Sequence, residues 1–296
     1  MNFLDFPPKN RLIIREILGD DFKIKPLKKF TVRIRKLYQQ KKYKTPNPFL
    51  VHTNGNKKFK VLIGPNYLQD QFIKMNDIQN KIKKLDLCPD IIKIGDGFLI
   101  AEYLEGGFPN TDSDFAKKIG KIFADLHNIE YSKIGTEELV KNSISIAEKF
   151  FREIEIKKRI IRCLEEHTPE NFFKGITYAD HNLTNYISTN KSVKLIDFGS
   201  FQSDHPLDFG LLSSNLFLKI DEDLFWRSYL DNGGFKSIYE SKLIMKLIGS
   251  LRGIEYNFQR FKDTPRFDFR LRNNRKMNVK NQIKNIEELI KVVDVK

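Results

Sequence analysis

A chain of 296 residues that is 40% hydrophobic and 12% aromatic can bury a sizeable core, which excludes a disordered or fibrous protein. Its formal net charge of +14 attracts anions, so nucleic acid, a membrane surface and an anionic small molecule are the partner classes to weigh. Two cysteines, Cys88 and Cys163, are too few and too far apart to suggest a disulfide framework or a metal cluster, and reduced packing thiols are expected.

The N-terminal stretch "MNFLDFPPKNRLII" puts Asp5, Pro7 and Pro8 where a secretory segment needs an unbroken apolar run. No later window approaches the roughly eighteen apolar residues of a membrane span, so a soluble, cytoplasmic protein is expected. Residues 22 to 63 read as strand-rich: "TVRIRKLY" alternates, and "PFLVHT" and "KKFKVLI" flank "NGN" as two strands flank a hairpin turn. From Phe22 to Gln69 there is no Asp or Glu, while Lys and Arg recur from Lys23 to Lys60. Such a run is either a solvated basic face or a surface that draws an anion.

After Gly64 and Pro65, Leu68, Phe72, Met75, Ile78, Ile82 and Leu85 recur at helical spacing up to Pro89. Two short strands follow around Gly95 to Gly97, then a glycine break at Gly106 and Gly107. Beyond it the character becomes helical, with helices predicted over 113 to 128 and 137 to 166, and then over 206 to 218, 221 to 230, 236 to 260 and 278 to 293. The reading is α+β: residues 1–101 as a small antiparallel β lobe with one helix, and 102–296 as a larger, mostly helical lobe. A second basic group, Arg260 to Lys280, lies in the last helices.

One stretch interrupts the helices: "GITYADHNLTNYISTNKSVKLIDFGSF", residues 175 to 201. It reads as a hairpin of short apolar strands that carries Asp180 and Asn185 at a loop end and delivers Asp197 beside them. Two carboxylates and a carboxamide are hard oxygen ligands, the set Mg²⁺ takes when substrate phosphates complete its octahedron. Phosphoryl transfer needs such a metal site and a carboxylate near the attacking hydroxyl. Local turn capping by Asp and Asn is the plain alternative.

Asp180, four residues, Asn185, eleven residues, then Asp197-Phe198-Gly199 resembles the catalytic loop and metal motif of the protein-kinase-like phosphotransferase superfamily, of aminoglycoside phosphotransferase, choline kinase and lipopolysaccharide-core sugar kinase type. The resemblance implies a two-lobed kinase-like fold, a nucleotide-binding N-terminal lobe, ATP and Mg²⁺ as cofactors, Asp180 at the acceptor hydroxyl, and Asn185 with Asp197 on the metal. "LIAEYLEGG" is similar to the linker of those families and implies adenine contacts near Glu102 and Tyr103. "IGKIFADLHNI" is similar to their helix ending in Leu-His, and Asp208 matches an aspartate that braces the catalytic loop. His127 itself reads as a structural histidine and Trp226 as helix core.

The chain departs from the pattern in four places. Tyr178-Ala179 replaces the usual His-Gly or His-Arg, and Leu62 stands where a phosphate-anchoring Lys or Arg is expected. Lys60, two residues earlier and so on the same strand face, is the candidate replacement, with Asp77 or Asp70 as its acidic helix partner. No glycine-rich loop precedes Phe49. Only eight residues separate Gly199 from Asp208, against the long activation segment of protein kinases, which points to a small-molecule or sugar acceptor rather than a protein.

The expected function is therefore transfer of the ATP γ-phosphate to a hydroxyl of a small molecule or sugar, with an anionic or membrane-associated glycan as one acceptor class. The departures keep a second reading open, a catalytically weak or inactive pseudokinase that binds nucleotide or serves as a scaffold. A basic nucleic-acid-binding protein is the third, but no recognition motif accompanies the lysines and aromatics are not regularly interleaved with them.

Overall fold

The computed structural model describes residues 8–26, 47–64, 68–178, 183–189, 192–197, 201–202, 220–264 and 268–293. The predicted strand at 31 to 38, the whole of the predicted helix at 206 to 218, and Asp180, His181, His205 and Asp208 lie outside the described residues. The chain divides into two compact units, Met1–Pro109 with Tyr186–Gly199, and Asn110–Asn185 with Ser200–Lys296.

The first unit is built on an antiparallel five-stranded sheet in the order β1 (Phe22–Pro26), β2 (Asn47–Thr53), β3 (Lys58–Ile63), β5 (Phe98–Glu102) and β4 (Ile91–Gly95). The β2–β3 hairpin turns at the "NGN" predicted for it, with Asn56 in the left-handed region that asparagine tolerates. Phe49 and Val51, then Phe59, Val61 and Ile63, then Phe98 and Ile100 form one apolar face. Burying side chains of this size contributes about 1.5–3 kcal/mol each. Register is thereby fixed, because a one-residue slip would turn Val51, Val61 and Ile100 to the opposite face.

Helix α1 (Pro8–Leu18) covers that face with Ile14, flanked by Ile13, Ile17 and Leu18. This helix was not among the predicted elements, although its signal is present: a proline at the first turn and apolar residues at i, i+1, i+4 and i+5. Since β3 residues alternate in direction, Lys58, Lys60 and Leu62 project from the other face. Helix α2 (Gln69–Ile82) buries Phe72, Met75 and Ile82 of the predicted stripe, together with Gln79, which was not part of it.

In the second unit, α3 (Ser113–His127) starts at Asp112, whose carboxylate accepts the Phe115 N–H at 2.9 Å, and buries Phe115, Ile119, Phe123 and Leu126 as predicted. Helix α6 (Glu222–Asp231) lies so close to it that a Cβ on Gly120 would come within 2.4 Å of the Phe225 carbonyl. The single run predicted over 137 to 166 is two helices, α4 (Glu137–Phe150) and α5 (Ile154–His167). Phe151 is extended and buried between them, so the apolar pattern continues through a backbone break that periodicity alone does not register. Likewise 236 to 260 resolves into α7 (Lys236–Glu240) and α8 (Lys242–Asp263), and α9 (Phe269–Val293) starts earlier than predicted. An unpredicted strand, β6 (Tyr131–Gly135), pairs with β7 (Asn171–Gly175).

Within the stretch 175 to 201 the strands "YIS" and "VKL" form the expected hairpin, while the strand of "GITY" pairs outside it. In the second unit β8 (Thr177–Tyr178) pairs with β11 (Phe201–Gln202), whereas in the first unit β9 (Tyr186–Ser188) pairs with β10 (Val193–Leu195). The local turn decides the second pairing: Thr189 N–H donates to the Ser192 carbonyl at 2.9 Å and Ser192 N–H donates to Thr189 Oγ1 at 3.1 Å. Among the described residues no helix is long and apolar enough to cross a membrane.

Candidate active site

Asp197 is separated from the end of β10 by Ile196 alone, and the β9–β10 hairpin is tied into the first unit along its length. Gly107 and Ser188 exchange backbone hydrogen bonds of 3.2 and 2.8 Å, joining the linker after β5 to β9. A side chain at Gly106 would meet the Ser188 carbonyl at 2.5 Å, so the first glycine of the linker pair is a close-approach requirement. Leu195 N–H donates to the Leu87 carbonyl at 2.8 Å. Finally, the ammonium of Lys60 donates to the Ile196 carbonyl at 3.0 Å.

That last bond places a cation at the residue next to Asp197. It is made from the predicted strand, β3, and from the side chain proposed to stand in for the missing lysine at position 62. Leu62 projects from the same face but is only 7% exposed, so position 62 packs and position 60 reaches. Asp77 is exposed on α2, about 200° around the helix from both Met75 and Gln79, and the described bond of Lys60 goes to Ile196 instead. The buried polar residue of α2 is Gln79, which the sequence did not single out. Its amide donates to the Pro89 carbonyl at 3.0 Å and accepts the Ile91 N–H at 3.1 Å, fixing the start of β4.

Glu102 ends β5 and Tyr103 follows it, and both N–H groups are used inside the unit. Glu102 N–H donates to the Asp90 carbonyl at 3.0 Å and Tyr103 N–H to the Lys58 carbonyl at 3.1 Å. Among the described residues the next two N–H groups, on Leu104 and Glu105, have no such bond, and the Glu105 carboxylate pairs with Lys58. Asn185 closes a 3₁₀ turn, Leu183–Asn185, in the second unit.

His127 and Trp226 are both buried, in keeping with a structural histidine and a helix-core tryptophan. His127 is fully buried with Nδ1 at 2.8 Å from the Tyr229 hydroxyl, whose oxygen accepts the Phe235 N–H at 3.1 Å. Trp226 is buried and donates to Glu222 at 3.0 Å. Both cysteines are buried and free. Burial, and next the neighbouring charge of Asp90, push the Cys88 thiol up to about 12 against the pull of Lys194, so it stays protonated and inert near neutrality.

Among the described residues no cluster of three His, Cys, Asp or Glu side chains could by itself hold a metal ion. Asp197 in the first unit and Asn185 in the second each offer a hard oxygen donor, the type that suits Mg²⁺ when phosphates provide other ligands.

Neither a protein-family model nor a curated protein sequence matches the chain. Its fold, however, matches solved structures along nearly its whole length. A macrolide 2′-phosphotransferase from Brachybacterium faecium superposes at TM-score 0.61 with 10% identity, covering 90% of this chain and 96% of that one. A choline kinase from Cryptosporidium parvum superposes at TM-score 0.61 with 12% identity, covering 96% of each chain. APH(2")-IIa in a ternary complex with streptomycin and ATP gives TM-score 0.52 and 15% identity, covering 97% of this chain and 99% of that one. The chain thus has the α+β fold of the protein-kinase-like phosphotransferases, with an antiparallel five-stranded sheet and a larger helical part.

Proposed function

We propose that this chain is an ATP- and Mg²⁺-dependent phosphotransferase that moves the γ-phosphate to a hydroxyl of a small molecule or sugar. The observation that carries the reading is the Lys60 ammonium at 3.0 Å from the Ile196 carbonyl, directly before Asp197, within a fold shared with small-molecule kinases. In that role Lys60 neutralises nucleotide phosphates, the work done by the β3 lysine of kinases. Asp197 and Asn185 supply oxygen ligands to Mg²⁺, which when bound offsets the charge on the phosphates. Asp180 accepts the hydrogen bond of the acceptor hydroxyl, orients it and takes its proton as the phosphoryl group leaves the nucleotide.

The adenine edge meets the linker at Leu104 and Glu105, whose N–H groups are not consumed by the sheet, while Glu102 and Tyr103 hold the linker's start in place. Asp208 braces the catalytic loop, as its counterpart does in the families it resembles. The basic bias of the first unit favours an anionic acceptor, such as a phosphorylated or acidic glycan.

Purified protein should release ADP in an acceptor-dependent manner, and Asp180→Asn should lower turnover by about 10²- to 10⁴-fold, the usual worth of a positioned general base. Wild type and Asp180→Asn equally inert across sugars, aminoglycosides and amino alcohols would defeat the reading. Mg·ATP stabilisation without turnover on any acceptor would point to a nucleotide-binding scaffold instead.

A further inference from the structure

Lys194 lies in the middle of β10, between Val193 and Leu195, and is only 8% exposed. Alternation along "VKLID" would assign it to a solvated face, so its burial needs a cause. The cause is Asp86. Its carboxylate oxygen is 2.5 Å from Lys194 Nζ, and its backbone carbonyl accepts a hydrogen bond from the same ammonium. Asp86 can offer both groups because it caps the 3₁₀ turn after α2 in the left-handed conformation (φ 49°, ψ 42°), which aspartate tolerates better than most residues. The next residue continues the tie: the Leu87 carbonyl accepts the Leu195 N–H at 2.8 Å. One residue further, Ile196 is held by Lys60.

Three successive residues, 194 to 196, are therefore each pinned by a different bond to the first unit, and the fourth is Asp197. A three-residue strand paired only with another three-residue strand has little rigidity of its own. The pins supply it. Two of them, at Leu195 and Ile196, engage the backbone, and the third uses a buried charge whose carboxylate partner is 87% exposed. A buried ammonium is an expensive way to hold a strand unless its position matters, since an apolar side chain would pack there at lower cost.

We propose that Lys194 and Asp86 form a positioning pair that sets the Asp197 carboxylate for its metal ion relative to Lys60. The inference rests on the phosphotransferase reading above, because Asp197 needs accurate placement only if it holds Mg²⁺. Neither residue touches substrate; both act through the strand that carries Asp197, as outer-shell partners do at metal sites.

The test uses full-length protein with Lys194→Met, Lys194→Arg, Asp86→Asn and the Lys194→Met/Asp86→Asn double variant. The total Mg²⁺ concentration that gives half-maximal thermal stabilisation by ATP is measured, together with hydrogen exchange of the peptide spanning residues 192–197 without ligand. Lys194→Met and Asp86→Asn should each raise the Mg²⁺ requirement by about tenfold or more, the usual effect of losing an outer-shell partner. The double variant should be no worse than the more severe single one. Exchange in 192–197 should quicken in parallel, and Lys194→Arg should restore most of the Mg²⁺ response. Asp86→Asn alters an exposed side chain and so keeps the fold even if Lys194→Met does not.

An unchanged Mg²⁺ requirement in Asp86→Asn would overturn the proposal, as would additive effects in the double variant. So would a Mg²⁺ requirement in Lys194→Arg as high as in Lys194→Met. Wild-type protein that is not stabilised by Mg·ATP would instead defeat the phosphotransferase reading itself, and the positioning role with it.

Discussion

Around Lys60 and Asp197 the backbone is held by single polar ties, whereas around His127 and Tyr229 it is held by packed rings. In the strand-rich unit, Lys60 bonds the Ile196 carbonyl, Gln79 bonds the Pro89 carbonyl and Ile91 N–H, and Lys194 pairs with Asp86. In the helical unit, Phe225 stands 5.0 Å from Trp226 and 6.3 Å from both Phe123 and Tyr229, ring centre to ring centre. Ring packing is non-directional and tolerant of small shifts, while a charge-assisted hydrogen bond fixes one distance at the cost of desolvating its partners. The difference teaches where accuracy and where stability are concentrated: polar substitutions in the first unit should change ligand response, and apolar ones in the second should change stability.

The largest expected stability effect is at Phe225, which is fully buried. Phe225→Ala should destabilise by about 3–5 kcal/mol through lost packing and the cavity left behind, read as a lower urea midpoint. The folded fraction should keep its Mg·ATP affinity; an intact midpoint with lost nucleotide binding would break the comparison. Next comes Leu62→Lys, which puts an unpaired ammonium at a 7% exposed position and should cost about 3 kcal/mol. Placed in a Lys60→Met background it should not restore nucleotide binding, because position 62 packs rather than reaches. Recovery there would mean that the two positions are equivalent, against the placement seen here. The smallest of the three is Tyr229→Phe, which strips a buried hydroxyl from His127 and from the Phe235 N–H and should cost about 1–3 kcal/mol. Thermal unfolding would register it, and turnover per folded molecule should not change.

Much of the scaffold is legible in the sequence because it is encoded locally. The "NGN" turn, the helical stripe from Leu68 to Ile82 and the face of α3 each depend on spacing within about 20 residues, which is the range over which periodicity carries information. That Lys60 shares a strand face with Leu62 was also legible, from strand parity once the family resemblance had pointed to position 62. What the sequence concealed depends on distant partners. Lys194 looks like a solvent-facing strand residue until Asp86 is brought to it across 108 positions, and the bond from Lys60 to Ile196 spans 136. Pairing of β8 with β11 rather than within one hairpin is a long-range choice of the same kind. The use of the Tyr103 N–H by Lys58 likewise follows from sheet register, and no property of "AEYLEGG" announces it. Asp77 misled because an acid within the predicted helix was expected to face β3, whereas the buried stripe of α2 turns it outward.

The central claim is that Lys60 serves as the phosphate-anchoring cation beside Asp197, and Mg·ATP binding to wild type and Lys60→Met, measured by calorimetry, tests it most directly. Lys60→Met should bind about 10- to 100-fold more weakly, the worth of a hydrogen bond to a charged group, with its unfolding midpoint close to wild type. Equal affinity in the two proteins would contradict the account.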